Sequence, residues 1–247
     1  MAGRAFVLGS SSGLGKHIVA HLRSTGWVVT GVSRHPAHED DLALDLTAEG
    51  AADHLMGRLK AATPALVVNC AVVYPDSDST TNPGELVRGV QQQFLVNASV
   101  PYAAMDGWIR EAGTLVPCTY VHCSSDSVYS VQPTSAGYPA TKLAAHALVN
   151  ALAKLARGTN FAVSILLLGP LATPRKVGEL ERIAAARQWS AERTTELYLS
   201  RANPEYVQDT LIALDTCASA VIFLQSLGPQ ANGTLMRLDG GSGGARV

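Results

Sequence analysis

Short apolar runs alternate along the chain with longer segments whose apolar residues recur at three- and four-residue spacing. The first pattern predicts buried strands and the second predicts helices. Strands are expected over residues 5–8, 27–30, 42–44, 65–68, 115–123, 162–168 and 234–238. Helices are expected over 14–24, 51–62, 84–111, 137–157, 175–201 and 207–225. The 84–111 segment is open to division, with Pro101 marking an irregularity, and Pro139 is tolerable in a first helical turn. Alternating β and α implies a parallel sheet covered by helices on both faces, as the uninterrupted apolar strands also suggest. No internal repeat or linker breaks the pattern. The expectation is one α/β domain over residues 1–247, a doubly wound sheet of about seven parallel strands. In such sheets ligands bind beyond the carboxyl ends of the strands.

Of the 247 residues, 47% are hydrophobic and 16% charged, which supplies a core and argues against disorder. Nineteen basic residues against 20 acidic ones leave a net charge of -1, which argues against a nucleic-acid partner. Cys70, Cys118, Cys123 and Cys217 show no C-x-x-C spacing and read as reduced thiols. The apolar run at 5–8 is too brief for a signal peptide. The longest apolar stretch, 161–172, is broken by Gly169 and Pro170, short of the roughly 20 residues of a membrane span. A cytoplasmic protein without a membrane partner is expected.

Between the first strand and first helix stands Gly9-Ser10-Ser11-Ser12-Gly13-Leu14-Gly15. Glycines permit a tight turn and close approach of a pyrophosphate, and a helix N-terminus offers free N–H groups. A nucleotide-triphosphate loop is excluded, because Ser10 and His17 stand where that pattern needs Gly and Ser or Thr. The second strand leads into Ser33 and Arg34, where an acid would bond ribose hydroxyls. An Arg here suits a 2′-phosphate, or is a surface loop residue. Ser125 precedes Tyr138 by thirteen residues, and Tyr138-Pro139-Ala140-Thr141-Lys142 puts Tyr138 and Lys142 on one helical face. A nearby ammonium is expected to lower the phenol's pKa.

The glycine spacing, the Ser–Tyr gap and Y-x-x-x-K together resemble the short-chain dehydrogenase/reductase family, classical type, a Rossmann fold. The resemblance runs to Leu238-Asp239-Gly240-Gly241, so it covers essentially the whole chain. It implies a catalytic set of Asn97, Ser125, Tyr138 and Lys142. Tyr138 would be the general acid, Lys142 would tune it and hold the nicotinamide ribose, and Ser125 would bond the substrate oxygen. Asn97 would help hold a relay water; otherwise it fills a helix irregularity. The implied cofactor is NADP(H), with NAD(H) open. Its binding residues would be Gly9, Ser11, Ser12, Gly13, Leu14, Gly15, Ser33, Arg34, Asp45, Leu46, Asn69, Cys70, Ala71, Tyr138, Lys142, Gly169, Leu171 and Thr173. Asp45 would bond the adenine edge or else cap the next helix. Thr173 would contact the nicotinamide amide.

Two residues depart from the family pattern: Val72 stands for a Gly after strand four, and Leu168 for a Pro after strand six. Ser125-Asp126-Ser127-Val128-Tyr129 also echoes nucleotide-sugar epimerases, which carry a wider Ser–Tyr gap and a longer C-terminal domain. The charged segment 173–204 would be the substrate lid, recognising a polar or anionic substrate or simply facing solvent. Tyr74-Pro75-Asp76 and Val128-Tyr129 would lie near the pocket mouth. His17 and His21 lack the third ligand of a metal site, and none is expected; His35, His38, Glu39, Asp40 and Asp41 read as a solvated turn. The implied activity is NADP(H)-dependent reduction of a small or medium ketone, or oxidation of its alcohol. Alternatives on the same scaffold are a dehydratase, an epimerase or an imine reductase, and in another class a non-catalytic dinucleotide-binding regulator. The Ala-rich helix 137–157 is apolar on more than one face, which implies a homodimer or homotetramer.

Overall fold

A computed structural model describes residues 3–74, 82–112, 115–129, 131 and 136–243. Seven strands form one sheet: β1 (Arg4–Leu8), β2 (Val28–Ser33), β3 (Leu42–Ala43), β4 (Leu66–Asn69), β5 (Cys118–Ser125), β6 (Phe161–Leu168) and β7 (Leu235–Leu238). All pair in parallel, in the order β3-β2-β1-β4-β5-β6-β7. The order reverses between β1 and β4, so the crevice for a ligand lies beyond their carboxyl ends. Eight α-helices accompany the sheet among the described residues: α1 (Gly13–Ser24), α2 (Ala51–Ala62), α3 (Pro83–Phe94), α4 (Val100–Ala112), α5 (Gly137–Leu155), α6 (Pro174–Arg187), α7 (Ala191–Ala202) and α8 (Leu214–Ser226).

The two sheet faces carry two cores. Phe6, Leu8, Leu55, Met105, Trp108, Tyr120 and Leu152 pack on one side, with Trp108 edge-on to Phe161 at 4.8 Å. Val7, Ile18, Leu22, Val68, Val121, Leu166 and Val221 pack on the other. Alternate residues of one strand thus feed opposite cores, which is why the strands read as unbroken apolar runs.

One open division is found and two expectations are corrected. The 84–111 helix divides at a π-helical turn, Leu95–Ser99. Pro101 has no N–H to give to the carbonyl four residues back, that of Asn97, and the widened turn accommodates the gap. The 175–201 helix splits where Gln188 takes φ 54° and Ser190 caps α7 by accepting from Arg193 N. The last helix begins at Leu214 rather than at residue 207. Residues before it form a strap over the sheet end: Val207 N bonds Gly240 O at 2.8 Å, and Ile212 N bonds Pro170 O at 2.9 Å. These bonds to β6 and β7 turns replace the intrahelical ones.

Candidate active site

The glycine turn is shaped by close approach. Gly9 has φ +79°, and a Cβ there would meet the Ala71 backbone at 2.8 Å. A Cβ on Gly15 would run into the Gly9 carbonyl. Gly13 has φ +52° and faces the Thr173 methyl across open space. Ser12 precedes α1 without using its side chain as a cap, and the first turn carries no acid. Leu14 and Ala71 are buried beneath the turn, while Ser11 and Ser12 are exposed above it. The result is a side-chain-free cradle at an uncapped helix N-terminus, the shape and polarity that a pyrophosphate needs.

At the end of β2, Ser33 Oγ is buried without a hydrogen-bond partner, and Arg34 beside it is exposed. Asp45 accepts from Thr47 N and Oγ1, both at 2.8 Å, which holds its carboxyl below the usual range, with the Arg34 charge adding to this. Asp45 thus closes a turn with Thr47 and does not cap the next helix, whose N-cap is Gly50. Leu46 is buried in the core. Asp41, expected in a solvated turn, is buried instead: its Oδ1 accepts from Arg23 Nη2 at 2.7 Å and Gly31 N at 2.8 Å.

After β4, Asn69 Oδ1 accepts from Ala71 N at 3.1 Å, and its amide reaches His122 Nδ1 at 3.1 Å. Cys70 Sγ lies 3.5 Å from Cys123 Sγ. Among the described non-glycine residues only Thr63 and Gln188 have positive φ, so Val72 sits in this turn without left-handed strain. Pro75 and Asp76 lie outside the described residues. At β6, a Cβ on Gly169 would meet the Asp239 backbone at 3.0 Å, Leu171 bridges to Ile212, and Thr173 caps α6 through Lys176 N. Gly169 therefore serves the β6–β7 contact.

Ser125 ends β5, with its hydroxyl near enough to the Tyr138 phenol to act on its ionisation. The Tyr74 ring stacks on Tyr138 with centroids 4.9 Å apart. Lys142 Nζ is 5.8 Å from the Tyr138 ring centroid and donates to Cys123 O at 3.0 Å. Burial pushes this lysine down to about 8. Tyr138 moves opposite to expectation. Burial, then the Tyr74 phenol, push it well above its ordinary value, against a lowering influence of the nearby Ser125 hydroxyl. Losing water outweighs the distant ammonium.

Asn97 is fully buried in the π turn. Its Oδ1 accepts from Val73 N at 2.8 Å, and its Nδ2 donates to Val73 O at 3.2 Å and Thr141 Oγ1 at 3.1 Å. The side chain thus clamps the loop after β4 to α5, through Thr141. Asp126, Tyr206 and the Ser124–His146 pair carry no role in the sequence reading. Ser125 Oγ donates to Asp126 Oδ1 at 3.3 Å, and Tyr206 OH donates to Asp126 Oδ2. Ser124 Oγ meets His146 Nε2 at 2.7 Å. Position i+4 after Lys142 was the available signal for His146; Tyr206, eighty residues from Asp126, offered none.

Residues 5–179 match the NAD dependent epimerase/dehydratase family. The chain belongs to this family. This epimerase/dehydratase family is related to the short-chain dehydrogenases expected above, and its description gives weight to the Ser125–Tyr129 echo. No curated protein matches the sequence. Solved structures share the fold across nearly the full length. A short-chain dehydrogenase family protein from Francisella tularensis is 18% identical with a TM-score of 0.76, covering 98% of this chain and 99% of that one. The aldohexose dehydrogenase of Thermoplasma acidophilum is 20% identical with a TM-score of 0.76, covering 100% and 95%. An actinorhodin polyketide ketoreductase variant with NADPH is 19% identical with a TM-score of 0.74, covering 98% of each. No helix among the described residues is long and apolar enough to cross a membrane.

Proposed function

We propose that this protein is an oxidoreductase that interconverts a small or medium organic ketone and its alcohol with NADP(H), NAD(H) being the lesser partner. The carrying observation is the meeting of Ser125, Tyr138 and Lys142 beside the glycine cradle, on the switch-point side of a parallel sheet. The cradle at Gly9, Gly13 and Gly15 would hold the pyrophosphate, and the orphaned Ser33 hydroxyl with Arg34 the adenine ribose and its phosphate. A bound nicotinamide supplies or takes up a hydride. Among proteins of this fold, one solved structure holds NADPH and another NADH, which supports a nicotinamide cofactor. The four free cysteines support a reducing, cytoplasmic setting.

Tyr138 does the proton work. Its raised pKa keeps the phenol protonated at neutral pH, ready to donate to an oxygen that gains charge. Ser125 orients that oxygen through its hydroxyl. Lys142, fixed on Cys123 O, places a titratable group one helical turn below the phenol. Tyr138→Phe should leave the fold intact and cut kcat by about 10²–10⁴-fold. Activity within a factor of a few of wild type sinks the reading. The epimerase/dehydratase description favours a second reading, an isomerising or dehydrating reaction that regenerates its cofactor. Product formation without net change in NADPH absorbance would select it. A self-associated chain, dimer or tetramer, is part of the proposal.

A further inference from the structure

The side chain that accepts the Ser125 hydrogen is acidic. Asp126 sits directly after Ser125, half-buried, with one carboxylate oxygen on Ser125 and the other on Tyr206 of the strap. Burial lifts its pKa, and the Tyr206 and Ser125 bonds pull it back toward the ionised form. Three cations of the lid are engaged elsewhere. Lys176 pairs with Glu179 at 2.9 Å and lies over the Tyr198 ring, while Arg187 and Arg193 flank Trp189. Arg237 grips Asp239 through two nitrogens, at 2.9 and 2.7 Å. An anionic group beside Ser125 would therefore meet the Asp126 carboxylate.

The Ser125 hydroxyl has a single hydrogen, and in this structure that hydrogen points at Asp126 Oδ1. Its oxygen is held by Ser127 N at 3.2 Å. To bond a substrate carbonyl oxygen, Ser125 must turn its hydrogen away from Asp126. A buried carboxylate oxygen then loses its donor, which is unfavourable unless another donor takes its place. Ser125 Oγ and Asp126 Oδ1 are near neighbours, so the replacement donor must sit on the carbon adjoining the reacting one.

We propose that Asp126 is the substrate-recognition residue of this site, selecting ketones and alcohols that carry a hydrogen-bond donor, hydroxyl or ammonium, on the adjacent carbon. This rests on the oxidoreductase reading above. The binding swaps one hydrogen bond for another on Asp126 Oδ1 and frees Ser125 for the reacting oxygen. Simple ketones leave that oxygen bare, and 2-oxo acids add repulsion.

The test compares 3-hydroxybutan-2-one and 3-aminobutan-2-one with butan-2-one and pyruvate, using NADPH and NADH. Wild type should favour the two donor-bearing ketones by roughly tenfold or more in kcat/KM, with pyruvate no better than butan-2-one. In Asp126→Ala the ratio should collapse to about one. Asp126→Asn keeps the side chain's shape should Ala impair folding; it should abolish the preference for the amine and keep part of that for the hydroxyl. The Kd of the NADP-loaded enzyme for butane-2,3-diol against butan-2-ol, by calorimetry, should follow the same ratios. A wild type without the preference, or one unchanged in both variants, overturns the proposal alone. Failure of every ketone with both cofactors overturns the underlying reading instead.

Discussion

Lys142 is nearly inaccessible yet carries a titratable amine whose only hydrogen bond given by the structure is to a backbone carbonyl. Burial moves its pKa from 10.5 to about 8. Between those values the unfolded chain binds more protons at this site than the fold does, so the lysine's contribution to stability rises with pH there. Below pH 8 its full penalty applies, about 3 kcal/mol in size. Lys142→Met should therefore lose turnover while gaining stability relative to wild type at pH 7, a gain that narrows toward pH 10. Denaturant melts at the two ends measure it, and a pH-independent difference contradicts the buried-amine account. Arg34 is the other residue to which the proposal gives a separable role. Arg34→Ala should weaken NADP(H) by about 1.5–3 kcal/mol and NAD(H) far less, because only the former carries a 2′-phosphate. Equal loss for both cofactors by calorimetry would remove Arg34 from cofactor selection. These residues were legible because their spacing is local: Tyr138 and Lys142 share one helix, and Arg34 follows one strand. Asp126 was visible only as part of an echo, since its partner Tyr206 comes from a distant strap.

The elements were readable where burial dictates a period. Helix α2 falls on residues 51–62 as expected, and every strand was found to within a few residues. The strap was not readable, because Val207 and Ile212 look like helix-face residues until the sheet end is present to bond them. The π turn was half readable: Pro101 flagged it, but the clamp from Asn97 to Val73 joins residues 24 apart. Asn97→Ala should leave the Val73 N–H and C=O without these partners, at about 1–3 kcal/mol. In a domain of this size that lowers Tm by roughly 3–10 °C. An unchanged Tm in a thermal scan would mean that the clamp contributes nothing. The glycine turn predicts a sharper outcome. Gly15→Ala puts a methyl group into the Gly9 carbonyl, with no flexible side chain to yield. The turn must open, and dinucleotide affinity should fall at least tenfold while α1 and the sheet persist; retention of affinity by calorimetry refutes the cradle.

At the scale of the molecule, α5 has two faces with different fates. Thr141, Lys142, Ala145, Val149 and Leu152 are buried, most of them toward the sheet and α4. Ala140, Leu143, Ala147 and Ala151 lie at helical spacing on the opposite side and are exposed, Leu143 at 49%. The alternative, that the preceding long helix covers α5 within one chain, fails for this stripe. That preceding helix leaves apolar residues of its own uncovered, with Leu86 48%, Val87 55% and Leu95 39% exposed. Small side chains on α5 permit close helix approach, and no Asp, Glu, Lys or Arg stands in 143–151. A two-fold axis would set the stripe against its own copy, each chain covering what the other exposes. Light scattering at micromolar concentration should give twice or four times the 25.9 kDa chain mass. Leu143→Glu and Ala147→Glu together should shift the particle toward one chain by burying like charges at the axis. A 25.9 kDa particle for the unaltered protein rejects the assembly. The catalytic residues would outlast that rejection, since Ser125, Tyr138 and Lys142 all come from one chain and meet without help from a second.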